Sequence, residues 1–202
     1  EMCIRDRLGA DCVVGPHAHL TGHTTIGSGN RFHTGCVIGD APQDVKYDGE
    51  PSRLIVGDGN TFREHVTIHR SNTLEEDTRI GSENMFMANS HVGHNAIVGN
   101  RAILANGALV GGHAIIGDGA FLSGNAVVHQ FCRVGSMAMM QGCSGVSLDL
   151  PPFTIVRGIN GMCGLNSVGL KRAGFSSEER LELKQAYRAL FMGSDLMKLS
   201  LI

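Results

Sequence analysis

An apolar residue recurs at every sixth position of the chain from Leu8 to Val146. This series has 24 positions, of which 22 are apolar, whereas the 42% hydrophobic composition of the chain would place only about 10 apolar residues there. The two exceptions, Asp44 and Glu50, are consecutive members of the series. Because apolar stripes of α-helices recur every three to four residues, the six-residue period excludes a long helix and predicts short strands joined by corners.

A second inward position accompanies this stripe. The fifth residue of each later repeat is small: Ala96, Ala102, Ala108, Ala114, Ala120, Ala126, Cys132, Ala138 and Ser144. A strand with one large and one small inward residue forms one side of a prism, and three six-residue sides close one coil. Each strand then stacks about 4.8 Å from its counterpart in the next coil. The sequence therefore predicts an all-β fold, a parallel β-helix of hexapeptide repeats over residues 8–157.

Two polar segments interrupt the coils. Residues 41–54 carry turn residues and charges and are predicted to form a protruding loop. Residues 70–78 are predicted to form a second, shorter loop, although Leu74 within them falls in the apolar stripe. Long loops on a rigid scaffold often carry functional residues.

The six-residue spacing ends after Val146, and a different organisation is expected beyond it. Ser176-Ser177-Glu178-Glu179 has the form of a helix capping box. Residues 158–198 are therefore interpreted as the start of a truncated C-terminal α-helical region. Residues 1–7 and 199–202 do not fit either pattern and resemble translated sequencing adapters, so both ends are expected to be artefacts that flank a gene fragment.

The charge, the apolar runs and the cysteine content of the chain limit the partners and the cellular compartment that we expect. The net charge of −2 gives no indication of nucleic-acid binding. No apolar run approaches the length of a membrane span and no signal peptide is visible, so we expect a cytoplasmic protein without an integral membrane segment. The six cysteines contain no Cys-x-x-Cys pair, which favours reduced, mostly buried thiols over disulfides or a metal site. No cofactor is expected.

Four histidines fall on one outer face of the predicted prism: His91, His94, His113 and His129. Residues three repeats apart stack on neighbouring coils, so Gly112 stacks on His94 and Gln130 stacks on Gly112, which brings these residues into a column of about 10 Å. Outward histidines of this kind are solvated, pack against a second subunit, transfer protons or bind a metal. Gly112 is either a corner glycine or a backbone N–H donor that stabilises a developing oxyanion.

Several motifs occur in order along the chain: Gln43-Asp44-Val45-Lys46-Tyr47, Ile68-His69-Arg70, His91-Val92-Gly93-His94, Ile103-Leu104-Ala105-Asn106, His129-Gln130-Phe131, Gly142-Cys143-Ser144-Gly145 and Gly169-Leu170-Lys171-Arg172. Together they closely resemble the UDP-N-acetylglucosamine 3-O-acyltransferase family, which begins lipid A synthesis, over residues 8–198. The resemblance implies a left-handed β-helix, a homotrimer with active-site clefts between subunits, and transfer of a 3-hydroxyacyl chain from acyl carrier protein to the glucosamine 3-position of UDP-N-acetylglucosamine.

The resemblance also implies roles for individual residues. His94 matches the general base and Gly112 matches the oxyanion donor. The residues expected to bind the sugar and diphosphate are Gln43, Asp44, Lys46, His91, His113, His129 and Gln130. Asn166 and Arg172 match the uridine or phosphate side of the substrate. Met137, Met139 and Met140 lie near the family's acyl groove, where they either influence chain length or simply pack.

The sequence departs from the family pattern at a few positions. Asn95 follows His94 where Asp is common, and an amide cannot stabilise an imidazolium by charge. Val168 replaces an acidic residue, Ala173 replaces an arginine, and residues 158–165 are one residue short of the family pattern. These departures bear on nucleotide contacts and on the choice between a 3-hydroxyl and a 3-amino sugar.

Three other functions remain open at this point. The first is the related UDP-acylglucosamine N-acyltransferase, which should lack the Gln43-Asp44-x-Lys46 motif. The second is a zinc-dependent β-helix hydratase, which would use the same histidines as metal ligands. The third is a solenoid scaffold without catalytic activity.

Overall fold

A computed structural model describes residues 7–192 of the chain. Three parallel sheets form the sides of a triangular prism. Sheet 1 stacks β1 (Arg7–Leu8), β4 (His23–Ile26), β7 (Arg53–Val56), β10 (Thr78–Ile80), β13 (Ile97–Val98), β16 (Ile115–Ile116) and β19 (Arg133–Val134). Sheet 2 stacks β2 (Val13–Val14), β5 (Arg31–Phe32), β8 (Thr61–Phe62), β11 (Met85–Phe86), β14 (Ile103–Leu104), β17 (Phe121–Leu122), β20 (Met139–Met140), β22 (Thr154–Arg157) and β23 (Gly161–Leu165). Sheet 3 stacks β3 (His19–Leu20), β6 (Val37–Asp40), β9 (Thr67–His69), β12 (His91–Val92), β15 (Leu109–Val110), β18 (Val127–Val128) and β21 (Gly145–Val146).

The register of the coils follows the predicted spacing. Val92 pairs with Val110, and Val110 pairs with Val128, so in the coils without a loop each strand residue pairs with its counterpart three repeats further along the chain. Most of the large stripe residues and the small fifth residues are buried together in one core along the prism axis, whereas Val14 of the first coil is 47% exposed. The predicted all-β parallel β-helix of hexapeptide repeats is confirmed.

The core of the early coils contains a column of aromatic rings. Phe32, Phe62 and Phe86 occupy equivalent positions in β5, β8 and β11, and consecutive rings stack with centroids 5.0 Å apart. All three side chains are almost completely buried. Strand register thus translates directly into stacking of identical side chains, which packs the interior of the prism.

Both predicted loops leave the prism at the corner between sheet 3 and sheet 1. From Ile38 to Val56 the chain advances by three repeats instead of one, so the first loop adds the length of two repeats. From Ile68 to Ile80 it advances by two repeats, so the second loop adds the length of one. Because both insertions are whole numbers of repeats, the stripe keeps its phase across them. Leu74 matches the six-residue spacing without belonging to the core stripe. It lies in the second loop and is 53% exposed.

The coil continues beyond Val146 with a changed spacing. Leu150 bridges to Val134, and Ile155 of β22 pairs with Met139 of β20, although each pair is closer in sequence than three full repeats. The six-residue spacing ends where the sequence predicts, but the parallel stacking does not. β23 then pairs antiparallel to β22.

Two helices follow the sheets. α1 spans Ser167–Arg172 and α2 spans Ser177–Phe191. The predicted capping box is present: Ser176 accepts a hydrogen bond from the backbone N–H of Glu179, whose carboxylate accepts one from the backbone N–H of Ser176. Of the ends interpreted as artefacts, residues 1–6 and 199–202 lie outside the described residues, while Arg7 pairs with Thr25. Residues 193–198 of the predicted helical region also lie outside them.

The described cysteines are unpaired thiols: Cys12, Cys36, Cys132, Cys143 and Cys163. Cys36 and Cys132 are buried as predicted, and burial raises the pKa of the Cys36 thiol to about 11. Cys143 and Cys163 are exposed, so the prediction of a buried thiol is wrong for these two. Neither α1 nor α2, the helices of the described chain, is long and apolar enough to cross a membrane.

Candidate active site

The chain passes from sheet 3 to sheet 1 at one corner of the prism, which we name the histidine corner. It comprises residues 41–52, 70–77, 93–96, 111–114 and 129–132, in successive coils. The two loops and the predicted histidine column therefore emerge from the same edge of the fold. Stacking of the coils is maintained across this edge, since the His113 N–H donates to the carbonyl of His94 and the Phe131 N–H donates to the carbonyl of Gly112.

A cavity of about 410 Å³ lies at the histidine corner. It brings together six of the predicted site residues: Gln43, His91, His94, Gly112, His129 and Gln130. The outward side chains of Leu109 and Val127 form one wall of this cavity on sheet 3. Polar groups thus meet an apolar surface at a single opening.

The tautomer of His94 is defined by its hydrogen bond. Its Nδ1 lies 2.9 Å from Oδ1 of Asn95. That oxygen also accepts the backbone N–H of Asn72 at 3.0 Å, so it is the amide oxygen that faces both groups. His94 consequently carries its proton on Nδ1, and its Nε2 presents a lone pair.

Gly112 lies directly against the His94 ring. A Cβ atom placed on Gly112 would lie 2.9 Å from both Cε1 and Nε2 of His94. Only a glycine at this corner leaves the ring in its position. The predicted juxtaposition of His94 and Gly112 is present in the structure.

His91 is held below this pair in a neutral state. Its Nδ1 lies 2.7 Å from the hydroxyl of Thr67, and its ring meets the ring of His69 edge to face at 5.0 Å. Burial, followed by the proximity of His69 and His94, lowers the pKa of His91 to about 4. Burial also lowers the pKa of His69. Both rings are therefore neutral near pH 7 and act as polar, uncharged groups.

Asp44 approaches the same corner from the first loop. Its Oδ1 accepts the backbone N–H of Lys46 at 3.0 Å, and its Oδ2 accepts the side-chain amide of Asn72 at 2.7 Å. These bonds, in that order, lower the pKa of Asp44, with a further contribution from His94. The Lys46 side chain is exposed on the loop surface.

His113 faces a neighbouring cavity of about 360 Å³ rather than the one that His94 lines. Its ring stacks on Phe131 at 4.7 Å and meets His94 edge to face at 5.3 Å. Its Nδ1 lies 3.7 Å from a carboxylate oxygen of Glu76. Burial and the proximity of His94 nevertheless lower its pKa. The predicted column is thus split at His113, because the corner turns its side chain toward sheet 1.

Asn166 and Arg172 lie at a different place in the fold. They line a cavity of about 820 Å³ over sheet 2, together with Met137 and Met139. Asn166 caps α1 and donates to the carbonyl of Met137, while Met140 is buried in the core. Within one subunit the structure does not bring Asn166 and Arg172 together with His94.

Sequence analysis missed three residues that shape the corner. His69 lies in the cavity wall, and Ser71 and Asn72 connect the second loop to Asn95. The motif Ile68-His69-Arg70 and the predicted loop over 70–78 were the available signals, but the contacts of these residues depend on folding across coils. In residues 7–192, no three His, Cys, Asp or Glu side chains are grouped so that they could hold a metal ion.

Comparison with known proteins shows which families and relatives this chain is similar to. Residues 149–200 match the second domain of UDP-N-acetylglucosamine O-acyltransferase, and residues 77–112 match the bacterial transferase hexapeptide repeat. An acyl-(acyl-carrier-protein)–UDP-N-acetylglucosamine O-acyltransferase from an Anaeromyxobacter species is 50% identical over 85% of this chain and 68% of its own length. A Halorhodospira halophila enzyme of the same name is 46% identical over 84% of this chain and 67% of its own length.

The chain belongs to the UDP-N-acetylglucosamine O-acyltransferase family. The UDP-N-acetylglucosamine acyltransferase of Campylobacter jejuni superposes with a TM-score of 0.91 at 34% identity, covering 98% of this chain and 77% of that one. The Francisella novicida UDP-N-acetylglucosamine acyltransferase gives 0.83 at 35% identity over 98% and 80% of the two chains.

Membership of the O-acyltransferase family confirms the resemblance that the motifs carry. The fold is the left-handed parallel β-helix of that family, followed by short C-terminal helices. The chain is an acyltransferase of lipid A biosynthesis, and the relatives favour this function over the N-acyltransferase, hydratase and scaffold alternatives.

Proposed function

We propose that His94 is the general base when this chain transfers a 3-hydroxyacyl group from acyl carrier protein to UDP-N-acetylglucosamine. The Nε2 lone pair takes the proton of the glucosamine 3-hydroxyl as that oxygen attacks the thioester carbon. The tetrahedral intermediate then expels the carrier thiolate, which recovers the proton from the imidazolium. The observation that carries this proposal is the bond between His94 Nδ1 and Asn95, which leaves Nε2 free to accept a proton.

Gly112 is assigned the stabilisation of the oxyanion. Its backbone lies beside the His94 ring, which supports its N–H as the donor to a thioester carbonyl near Nε2. A backbone donor in a partly enclosed site stabilises the developing negative charge without reorganising.

The remaining polar groups are assigned to the acceptor substrate. Gln43, His91, His129 and Gln130 line the cavity beside His94 and suit sugar hydroxyls and phosphate oxygens. Asp44 remains an acceptor-only carboxylate, since its hydrogen bonds lower its pKa, and it suits a sugar hydroxyl. Lys46, exposed on the first loop, and His113, in the neighbouring cavity, are assigned to the diphosphate.

A homotrimer would complete the site. Asn166 and Arg172, proposed to hold the nucleotide, lie over sheet 2 rather than at the histidine corner. If sheet 2 of one subunit faces the histidine corner of its neighbour, both sets of residues border one cleft. The outward positions of the central coils support such contacts, because they are apolar on all three sides: Ile97, Ile103, Leu109, Ile115, Phe121 and Val127.

Compartment and partners follow from the same reaction. Acyl carrier protein thioesters and UDP-sugars are cytoplasmic metabolites, so the enzyme is assigned to the cytoplasm. No cofactor is needed, because the thioester already carries an activated acyl group.

The test is His94→Ala in a transfer assay with hydroxyacyl carrier protein and UDP-N-acetylglucosamine. Activity should fall by about a hundredfold or more, because removing a general base costs on that order. His33→Ala, which alters a histidine at another corner, should retain activity. Full activity of the His94 variant would exclude His94 as the base.

A further inference from the structure

We propose that Ser71 and Asn72 are positioning residues that set the tautomer of His94 through the side-chain amide of Asn95. The inference rests on the proposed function only in the role of His94 as base. It concerns a property of the unliganded protein, so it can be measured separately from catalysis.

The tautomer matters because only one form of neutral His94 is a base toward substrate. A free histidine side chain carries its proton mainly on Nε2, which would leave the lone pair on Nδ1, facing the protein. The productive form reverses this preference and requires a hydrogen-bond acceptor at Nδ1. An amide can offer either an oxygen or an NH₂ group at that place, so its orientation decides the outcome.

The first constraint on the amide is the hydroxyl of Ser71, which is fully buried. Its one hydrogen is donated to the carbonyl of Thr73 at 3.0 Å, and it accepts the backbone N–H of Thr73 at 3.0 Å. Its remaining capacity is one lone pair, which faces Asn95 at 2.9 Å. Ser71 therefore accepts only the NH₂ side of the amide.

The second constraint is the backbone of Asn72. Its N–H points at the Asn95 side chain at 3.0 Å and can be satisfied only by the amide oxygen. A carboxylate oxygen of Glu76, 3.4 Å from Nδ2, favours the same orientation. Asn95 is 5% exposed and its own N–H donates to the Thr78 hydroxyl, so the side chain is held in place. The oxygen is thereby presented to His94 Nδ1.

The second loop, which carries Ser71 and Asn72, also contacts the first loop. The Asn72 side chain donates to Asp44, which is proposed to hold the sugar. Asn72 thus serves the two loops with different groups, its backbone N–H for Asn95 and its side chain for Asp44. Asn72→Ala should raise KM for the UDP-sugar while leaving the His94 tautomer unchanged.

The decisive measurement is nitrogen NMR of the full chain labelled with ¹⁵N-histidine, with the His94 signals assigned by their loss in His94→Gln. At a pH where His94 is neutral, Nδ1 should show the shift of a protonated ring nitrogen and Nε2 that of an unprotonated one. The opposite pattern in the unsubstituted protein would overturn the proposal regardless of any variant.

Two substitutions test what sets the tautomer of His94. Ser71→Ala removes the acceptor for the Asn95 NH₂ group, so the Nδ1–H population should fall and kcat should fall by about tenfold or more, with little change in KM. Asn95→Asp keeps an acceptor at Nδ1 and should preserve the tautomer. Its added charge should shift the acidic limb of the pH–rate profile to higher pH, because a carboxylate stabilises the imidazolium.

Ser144→Ala is the matched control, since Ser144 is another buried serine with a satisfied hydroxyl but lies between sheets 2 and 3. It should leave the His94 signals and kcat unchanged. An unchanged tautomer and kcat in Ser71→Ala would contradict the positioning role. Retained activity in His94→Ala would instead contradict the base assignment, which separates the two proposals.

Discussion

At the histidine corner, two residues are important because of a group that they lack: a side chain in Gly112 and a charge in Asn95. Gly112 offers no side chain, so the His94 ring can rest against its backbone. Asn95 offers no charge, so it orients His94 without the electrostatic stabilisation that a carboxylate would give. In the proposed mechanism, His94 is therefore oriented by geometry rather than by a charged pair.

Gly112→Ala should test whether activity depends on the position of the His94 ring. The new methyl group would collide with the His94 ring, and we expect kcat/KM to fall by about a hundredfold, as small misplacements of reacting groups do. Gly124→Ala is the control, because its methyl group would meet only the carbonyl of Asn106 at 3.6 Å. Equal activity of both variants would show that the His94 ring can move without loss.

His91 makes stability depend on pH. Its pKa is lowered to about 4 in the folded state, mainly by burial, so the unfolded chain binds more protons between about pH 4 and its ordinary value near 6.5. Stability should therefore rise with pH across this window and be lost as pH falls. The contribution is on the order of 3 kcal/mol. Denaturant unfolding at pH 7 and pH 5 should show a smaller change in unfolding free energy for His91→Gln than for the unsubstituted protein. An equal change in both would contradict the role of His91.

At the scale of elements, each coil is stabilised by its neighbours along the axis. The ring of Phe62 stacks between those of Phe32 and Phe86, so one side chain contributes to two interfaces between coils. Solenoids gain stability from such nearest-neighbour contacts. The first loop lies between β6 and β7, so the strands that carry Phe32 and Phe62 are each one strand removed from it in sequence.

Phe62→Ala should cost about 3–5 kcal/mol of unfolding free energy, because it leaves a cavity between two fixed rings. Phe62→Leu keeps most of the volume and should cost less, about 1.5 kcal/mol. Chemical denaturation followed by circular dichroism measures both. Similar losses in the two variants would argue against a packing origin.

At the scale of the whole molecule, the outer surface changes character along the axis. The central coils expose Leu109, Ile115 and Val127 on two sheets, whereas the outward strand residues of the first coils are mixed, with Arg7 and Arg31 as well as Val13. Contiguous exposed apolar surface on a rigid solenoid is typical of a contact between subunits. The proposed trimer would cover these coils and leave the first ones in water.

Ile115→Lys should weaken the proposed trimer, since an unpaired charge at an apolar contact is costly. Light scattering after size-exclusion chromatography should detect smaller species, and transfer activity should fall with them. Val13→Lys adds the same charge to an exposed residue of the first coil and should leave the oligomer intact. A trimer that persists with Ile115→Lys would place the interface elsewhere.

Sequence reasoning determined the period, the inward residues, the corners and hence the stacking of His94, Gly112 and Gln130. These follow from one repeating strand geometry, so a count along the chain is also a position in space. It could not show that His113 turns toward sheet 1. Only the tertiary structure decided the contacts of Asn95 with Ser71 and of Asn72 with Asp44, which cross loops that break the coils. Their hydrogen bonds depend on loop conformation, which no repeat in the sequence encodes.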